Sequence, residues 1–215
     1  MRPVLKIIAF ALAVSILAGC PAKKRPTELA TPVNGRVLLA QVDVVTAQAC
    51  PLCSRPVYAC PVEPKAAETL GQALAAAFTE KRFEVIKGKV PAKNSEESPG
   101  ITNWIELGKG LNAGYVAAAE LYCWKEREGT ALASQSPARV GFHIHVFDPA
   151  AGKEIWGGNF YEQQQSLSEN VLEFRKFARR RGKWITAEQL AREGTIKLID
   201  QLIEAQNKNA SDSVH

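Results

Sequence analysis

Hydrophobic and polar positions alternate along this chain with two different periods. A short apolar run at residues 37–42 reads as a strand. Ala66, Leu70, Ala73, Leu74, Ala77 and Phe78 then recur at helical spacing. Pro64 stands just before them and suits a first helical position, where its missing N–H costs nothing. Residues 83–86 predict a second strand and 90–100 a loop, and Trp104, Leu107 and Leu111 share one side of a helix over 103–111. Three longer strands follow at 114–125, 139–148 and 154–162. The last two are joined by Pro149-Ala150-Ala151-Gly152, a natural turn with a glycine available for positive φ, so the three form an antiparallel meander. The last third is helical. Leu167, Val171, Phe174 and Ala178 share a face behind Ser168 as cap. A second helix opens on a capping box, Thr186 with Gln189, and a hydrophobic staple, Ile185 with Leu190. Ala191, Leu198, Leu202 and Ile203 line its buried face, and the polar tail 207–215 is expected to be disordered. The pattern predicts one α/β (α+β) domain over residues 36–206, with a mixed sheet, a three-stranded antiparallel meander and flanking helices.

The amino terminus reads differently. Arg2 and Lys6 precede an uncharged run of 12 residues, 7–18. A helix of that length covers about 18 Å, short of the roughly 30 Å core of a bilayer, so the run fits the h-region of a secretory signal. It ends in Leu17-Ala18-Gly19-Cys20. This order resembles the signal and lipobox of bacterial lipoproteins. The resemblance implies cleavage after residue 19, diacylglyceryl transfer to the Cys20 thiol and acylation of the new amine. Pro21 and Ala22 follow where that family's inner-membrane retention signal is an aspartate, which implies the periplasmic face of the outer membrane. Residues 20–35 are polar and proline-broken, a tether. Lys23, Lys24 and Arg25 in it would lie near lipid headgroups.

The composition takes its meaning from that compartment. Lysine and arginine number 27 against 22 acids, a net +5 that falls to +3 once the signal is removed. Arg175, Lys176, Arg179, Arg180, Arg181 and Lys183 crowd one helix end and form a candidate anion- or partner-binding patch. Export argues against nucleic acid and leaves envelope proteins or anionic envelope polymers as partners.

A second resemblance concerns the domain. Asn112-Ala113-Gly114-Tyr115-Val116, between a helix and a strand, is similar to the helix-to-strand junction of periplasmic domains of the TolB amino-terminal type. Their relatives include LpoB and CsgG. Val146-Phe147-Asp148 followed by Gly152-Lys153-Glu154-Ile155-Trp156 is similar to their aspartate-turn-Gly-Lys hairpin. The resemblance implies an interaction and assembly role without shared catalytic residues, and no pore, because the channel-forming segments of CsgG have no counterpart here.

Candidate chemistry centres on Cys50, Cys53, Cys60 and Cys123, an even number once Cys20 is assigned to lipid. Structural disulfides are the first expectation, with Cys53–Cys60 or Cys50–Cys60 closing a small loop in the cysteine- and proline-rich insert 49–63. Cys123 then ties that insert to the central strand. A four-thiolate zinc site is one alternative, since Cys50-Pro51-Leu52-Cys53 has ligand spacing. A redox dithiol is another, although no helix begins behind Cys53 to lower a thiolate pKa. No histidine follows Cys53, so haem attachment is not supported. His143 and His145, two apart on a strand, point to one face. They are either the wetter side of a half-buried sheet or two metal ligands, with Glu120 or Cys123 as a third. Apart from zinc no cofactor is expected. No phosphate-binding loop, nucleophile elbow or His-Glu-x-x-His helix is present, so the first expectation is a non-enzymatic envelope module and the second a metal-binding or thiol-redox lipoprotein.

Overall fold

The computed structural model describes residues 35–88, 100–165 and 180–212. The signal segment and Cys20, the tether up to residue 34, the loop at 89–99, the helix expected over 167–178, and Arg175, Lys176 and Arg179 lie outside the described residues.

The elements run β1 (Arg36–Leu39), β2 (Asp43–Val44), α1 (Ala66–Glu80), β3 (Glu84–Lys87), α2 (Ile101–Gly110), β4 (Tyr115–Lys125), β5 (Glu128–Gly129), β6 (Ser134–Ser136), β7 (Arg139–Asp148), β8 (Lys153–Gln163) and α3 (Ala187–Asp212). One mixed sheet orders them β3-β1-β4-β7-β8, and β2 pairs with β4 beyond the end of β1. The β1–β3, β1–β4 and β2–β4 pairs are parallel, whereas β4–β7 and β7–β8 are antiparallel. The expected meander is therefore present, with a small β5–β6 hairpin between its first two strands.

Strand alternation divides the molecule into two packed faces. Phe142, Ile144 and Val146 of β7 share a core with Leu70, Leu74 and Phe78 of α1 and Leu190, Leu198 and Leu202 of α3. Burying each such side chain stabilises by about 1.5–3 kcal/mol, so the helices gain most of their stability from this face rather than from propensity. On the other face Leu38, Val116 and Phe147 pack on Trp104 and Ile105 of α2. Beside them the insert lays Val45, Cys50 and Val57 against Tyr122 and Cys123. His143 and His145 occupy the same side of β7 as Phe147, under the insert.

Local chemistry sets the boundaries. Thr186 N–H donates to Gln189 Oε1 at 3.1 Å, and Gln189 N–H donates to Thr186 Oγ1 at 3.2 Å. The two bonds satisfy two of the four N–H groups that a helix start leaves open. Asp148 Oδ1 accepts from the N–H groups of Ala150 and Ala151 at 2.8 and 3.1 Å, and Gly152 sits at φ +65°, closing the β7–β8 turn.

Three expectations change. Helix α1 begins at Ala66, because Lys65 adopts a left-handed conformation (φ 69°) and the chain turns once more after Pro64. Helix α3 continues to Asp212, six residues past the expected end. Those residues bury nothing, but each one added to an established helix gains a hydrogen bond without a new nucleation cost. Strands β2, β5 and β6 have two or three residues each, too few to display a period. No helix among the described residues is long and apolar enough to cross a membrane.

Candidate metal centre

The insert and strand β7 bring four potential ligands together. Cys50 and Cys53 come from a tight turn, in which Cys50 N–H donates to Arg55 O at 2.9 Å and Ser54 N–H to Cys50 O at 2.8 Å. Ser54 takes φ 56° to complete it. The turn aims the Cys53 N–H at Cys50 Sγ, 3.4 Å away, a donor that favours thiolate over thiol. His143 and His145 project from the facing strand by the alternation of β7.

One ligand atom from each of the four residues lies within 4.8 Å of all the others. Cys50 Sγ is 3.3 Å from His145 Nε2, and Cys53 Sγ is 3.7 Å from His143 Nδ1. A tetrahedron with zinc–sulfur bonds of about 2.3 Å and zinc–nitrogen bonds of about 2.05 Å has nitrogen–sulfur edges of roughly 3.6 Å. The observed spacings bracket that value. Cys50, His143 and His145 are 2–3% exposed, so an ion here would be shielded from solvent on most sides.

The outer contacts also suit a metal. His145 Nδ1 is 2.9 Å from Glu154 Oε1, the carboxylate–histidine arrangement that fixes the tautomer and leaves Nε2 free to ligate. A register shift in the β7–β8 ladder sets Glu154 opposite Phe147 while Trp156 opposes Val146. This irregularity turns Glu154 toward the histidine face. Gly157 keeps the path open, because a Cβ there would lie 2.6 Å from Glu154 Oε1. Replacing Glu154 by glutamine is expected to weaken zinc binding 10- to 100-fold while leaving the four ligands in place. Competition against a chromogenic chelator reads that change, and an unaltered affinity would remove Glu154 from the site.

Burial and neighbouring charge set the protonation of the site without an ion. His143 is pushed down to about 4, chiefly by burial and then by His145 and Arg55, against a hydrogen bond to Asn159. It is therefore neutral near pH 7 and presents a lone pair. Cys50 is pushed up to about 12, first by burial and next by its hydrogen bond to Glu120. Its Sγ donates to Glu120 Oε2 at 2.7 Å, and burial raises Glu120 above the usual carboxylate range despite that bond. A bound cation would replace the thiol proton, so metal uptake here releases protons.

The cysteines divide differently from the expected pairings within the insert. Cys60 and Cys123 form a disulfide, with Cα atoms 4.5 Å apart, while Cys50 and Cys53 are free thiols. The cause lies in β4, where a bulge at Tyr122 interrupts the pairing with β7. Tyr122 and Cys123 consequently both face the insert, and Cys60 N–H bonds Tyr122 O at 2.9 Å. Cys60 and Cys123 therefore leave the thiolate set, and the two histidines stand in their place. Of the third ligands considered for the histidine pair, Cys123 is consumed by the disulfide and Glu120 sits behind Cys50. Glu154 and Asn159 went unanticipated; their only sequence signal is their position on the strand next to the histidines. In the basic patch Arg180 is bound to Glu162 at 2.9 Å and Glu193 at 2.6 Å, so it braces β8 against α3. Arg181 and Lys183 are exposed.

No protein-family profile matches the chain, and no curated protein sequence does. Solved structures similar to it include the PelC dodecamer from Paraburkholderia phytofirmans, with 14% identity over 77% of this chain and 85% of that one and a TM-score of 0.48. Lipoprotein GNA1162 from Neisseria meningitidis has 13% identity over 67% and 91% and a TM-score of 0.40. The LpoB C-terminal domain from Escherichia coli has 18% identity over 60% and 82% and a TM-score of 0.35. At these identities no residue role transfers, and the functional reading rests on the cysteine–histidine geometry.

Proposed function

We propose that this chain is a lipid-anchored protein of the bacterial envelope whose domain holds one zinc ion between Cys50, Cys53, His143 and His145, without catalytic turnover of its own. The observation that carries the reading is the convergence of two thiols and two imidazoles within 4.8 Å of one another. Sulfur and imidazole nitrogen suit zinc better than calcium or magnesium, and four protein ligands leave no open position for a substrate. The ion would fasten the insert to the sheet and present it as a fixed surface. The anchor is Cys20, at the periplasmic face of the outer membrane, and the partners are envelope proteins or anionic envelope polymers that meet the domain there.

Metal analysis of the lipidated protein, purified without chelator or added metal, tests the centre. One zinc per chain is expected, falling below a tenth in Cys50→Ser and in His145→Ala. A wild-type chain that stays metal-free after zinc titration would rule the centre out. Cys20→Ser should abolish acyl labelling, and persistent labelling would displace the anchor. Crosslinking in intact envelopes should capture a neighbour; recovery of the monomer alone across reagents of several lengths would count against an assembly role.

A further inference from the structure

We infer that the metal centre is redox-gated: Cys50 and Cys53 have a second state, a disulfide with each other, and entering it expels the zinc. The inference rests on the zinc reading above and assigns that site its regulation.

The arrangement of the four cysteines supports this. All of them lie in or against one small cluster. Cys60 and Cys123 are already joined, yet Cys50 and Cys53 remain thiols with Sγ atoms within 4.8 Å. A disulfide needs the sulfurs at about 2.05 Å, an approach that side-chain rotation in a Cys-x-x-Cys turn can supply. In an exported protein a neighbouring dithiol would be oxidised unless something occupied it, and a bound metal is such an occupant. The two states exclude each other, because a sulfur bonded to sulfur no longer offers the thiolate that zinc requires.

The distribution of ligands makes the switch clean. Both thiols come from the insert and both imidazoles from β7. Closing the sulfurs on each other removes every ligand the insert supplies and leaves two histidines on the strand, too few to hold the ion. The oxidised turn keeps its own hydrogen bonds, from Cys50 N–H to Arg55 O and from Ser54 N–H to Cys50 O. The insert also stays tied to β4 through Cys60–Cys123. It is released from β7 without being unfolded. Exposure sets the order of events: Cys53 is half-buried and reachable, whereas Cys50 is 2% exposed.

The reaction balances with a disulfide such as oxidised glutathione as the two-electron oxidant. The Cys53 thiolate attacks one glutathione sulfur, forming a mixed disulfide and expelling a glutathione thiolate. The Cys50 thiolate then attacks Cys53 Sγ, forming the internal bond and expelling the second glutathione thiolate. Zinc leaves as the divalent ion, its charge matched by the two thiolates released. The change reaches the surface, because Pro51 and Leu52, between the two cysteines, wall a cleft of about 470 Å³ with Asp43, Trp104 and Glu120.

The test uses the zinc-loaded lipidated protein in detergent, equilibrated over a series of glutathione redox ratios. Zinc release to a chromogenic chelator, free thiols and disulfide mapping are read together. One zinc released per two thiols lost is expected, with a Cys50–Cys53 linkage in the digest and full recovery on adding reductant and zinc. Amide exchange should rise at Cys53, whose N–H bonds Cys50 Sγ, while the amides of Cys50 and Ser54 stay protected within the turn. The Cys60→Ala/Cys123→Ala double variant should keep the response. Zinc retained after the thiols have gone, or linkage of Cys50 or Cys53 to Cys60 or Cys123, would overturn the gating and leave the zinc reading intact. A chain that takes up no zinc at the outset overturns both.

Discussion

Stripping the proposed zinc is expected to lower the melting temperature of this domain by roughly 10 °C. An ion held by all four residues would bind the folded chain and not the unfolded one, so at free zinc a thousandfold above Kd it would contribute about 4 kcal/mol. In a chain of this size each kcal/mol is worth about 2–4 °C. The domain should not unfold outright, as a zinc finger does, because the core between the sheet and α1 and α3 contains no ligand. The loss should be local. Val45, Cys50 and Val57 leave their contacts with Tyr122 and Cys123, while α1, α3 and the meander stay protected from amide exchange. Calorimetry of loaded and chelated protein measures the shift. A melting temperature indifferent to chelator, in protein shown by analysis to have lost its metal, would mean that the ion does not fasten the insert.

Removing the Cys60–Cys123 bridge costs about as much by a different route. The bond closes a loop with a sequence separation of 63, and restricting a loop of that length in the unfolded chain is worth roughly 4 kcal/mol. Both cysteines should be replaced by alanine, since a single replacement frees a thiol beside Cys50 and Cys53. Urea denaturation is expected to show the loss as a lower midpoint. A change below about 1 kcal/mol would show that the bridge leaves the unfolded chain nearly as free as before. The bridge and the proposed ion would grip the same insert, so their effects should couple rather than add. The double variant stripped of zinc is the sensitive combination.

The meander and helices α1, α2 and α3 were readable because each repeats a period over about ten or more residues, and the start of α3 was readable because its capping box is local in sequence. The centre was not. Cys50 and His143 are 93 positions apart, and no period links a turn in the insert to a strand across the sheet. Half of the information was present. The two histidines share a face by alternation, and Cys50 and Cys53 have ligand spacing. For the histidines, strand neighbours suggest only Glu120 or Cys123 as a further ligand, because nothing local in the sequence lays the Cys50–Cys53 turn over β7. The disulfide escaped for a physical reason: strict alternation assigns Tyr122 and Cys123 to opposite faces, and only the bulge brings both to the insert.

That bulge makes the residues around it an indivisible cassette. With one extra residue in β4, Glu120 behind Cys50, Tyr122 against His143 (ring centroids 5.4 Å apart) and Cys123 on Cys60 all serve the same side of the sheet. Deleting Tyr122 would remove the ring and the bulge together yet leave Cys123 opposite Gly141 and Trp124 opposite Val140. Imposing strict alternation with Tyr122 kept in the ladder would instead swing Cys123 into the helical core and send Trp124 out of it. Anyone transplanting the zinc-holding insert onto another protein of this topology would have to carry the irregular strand with the loop.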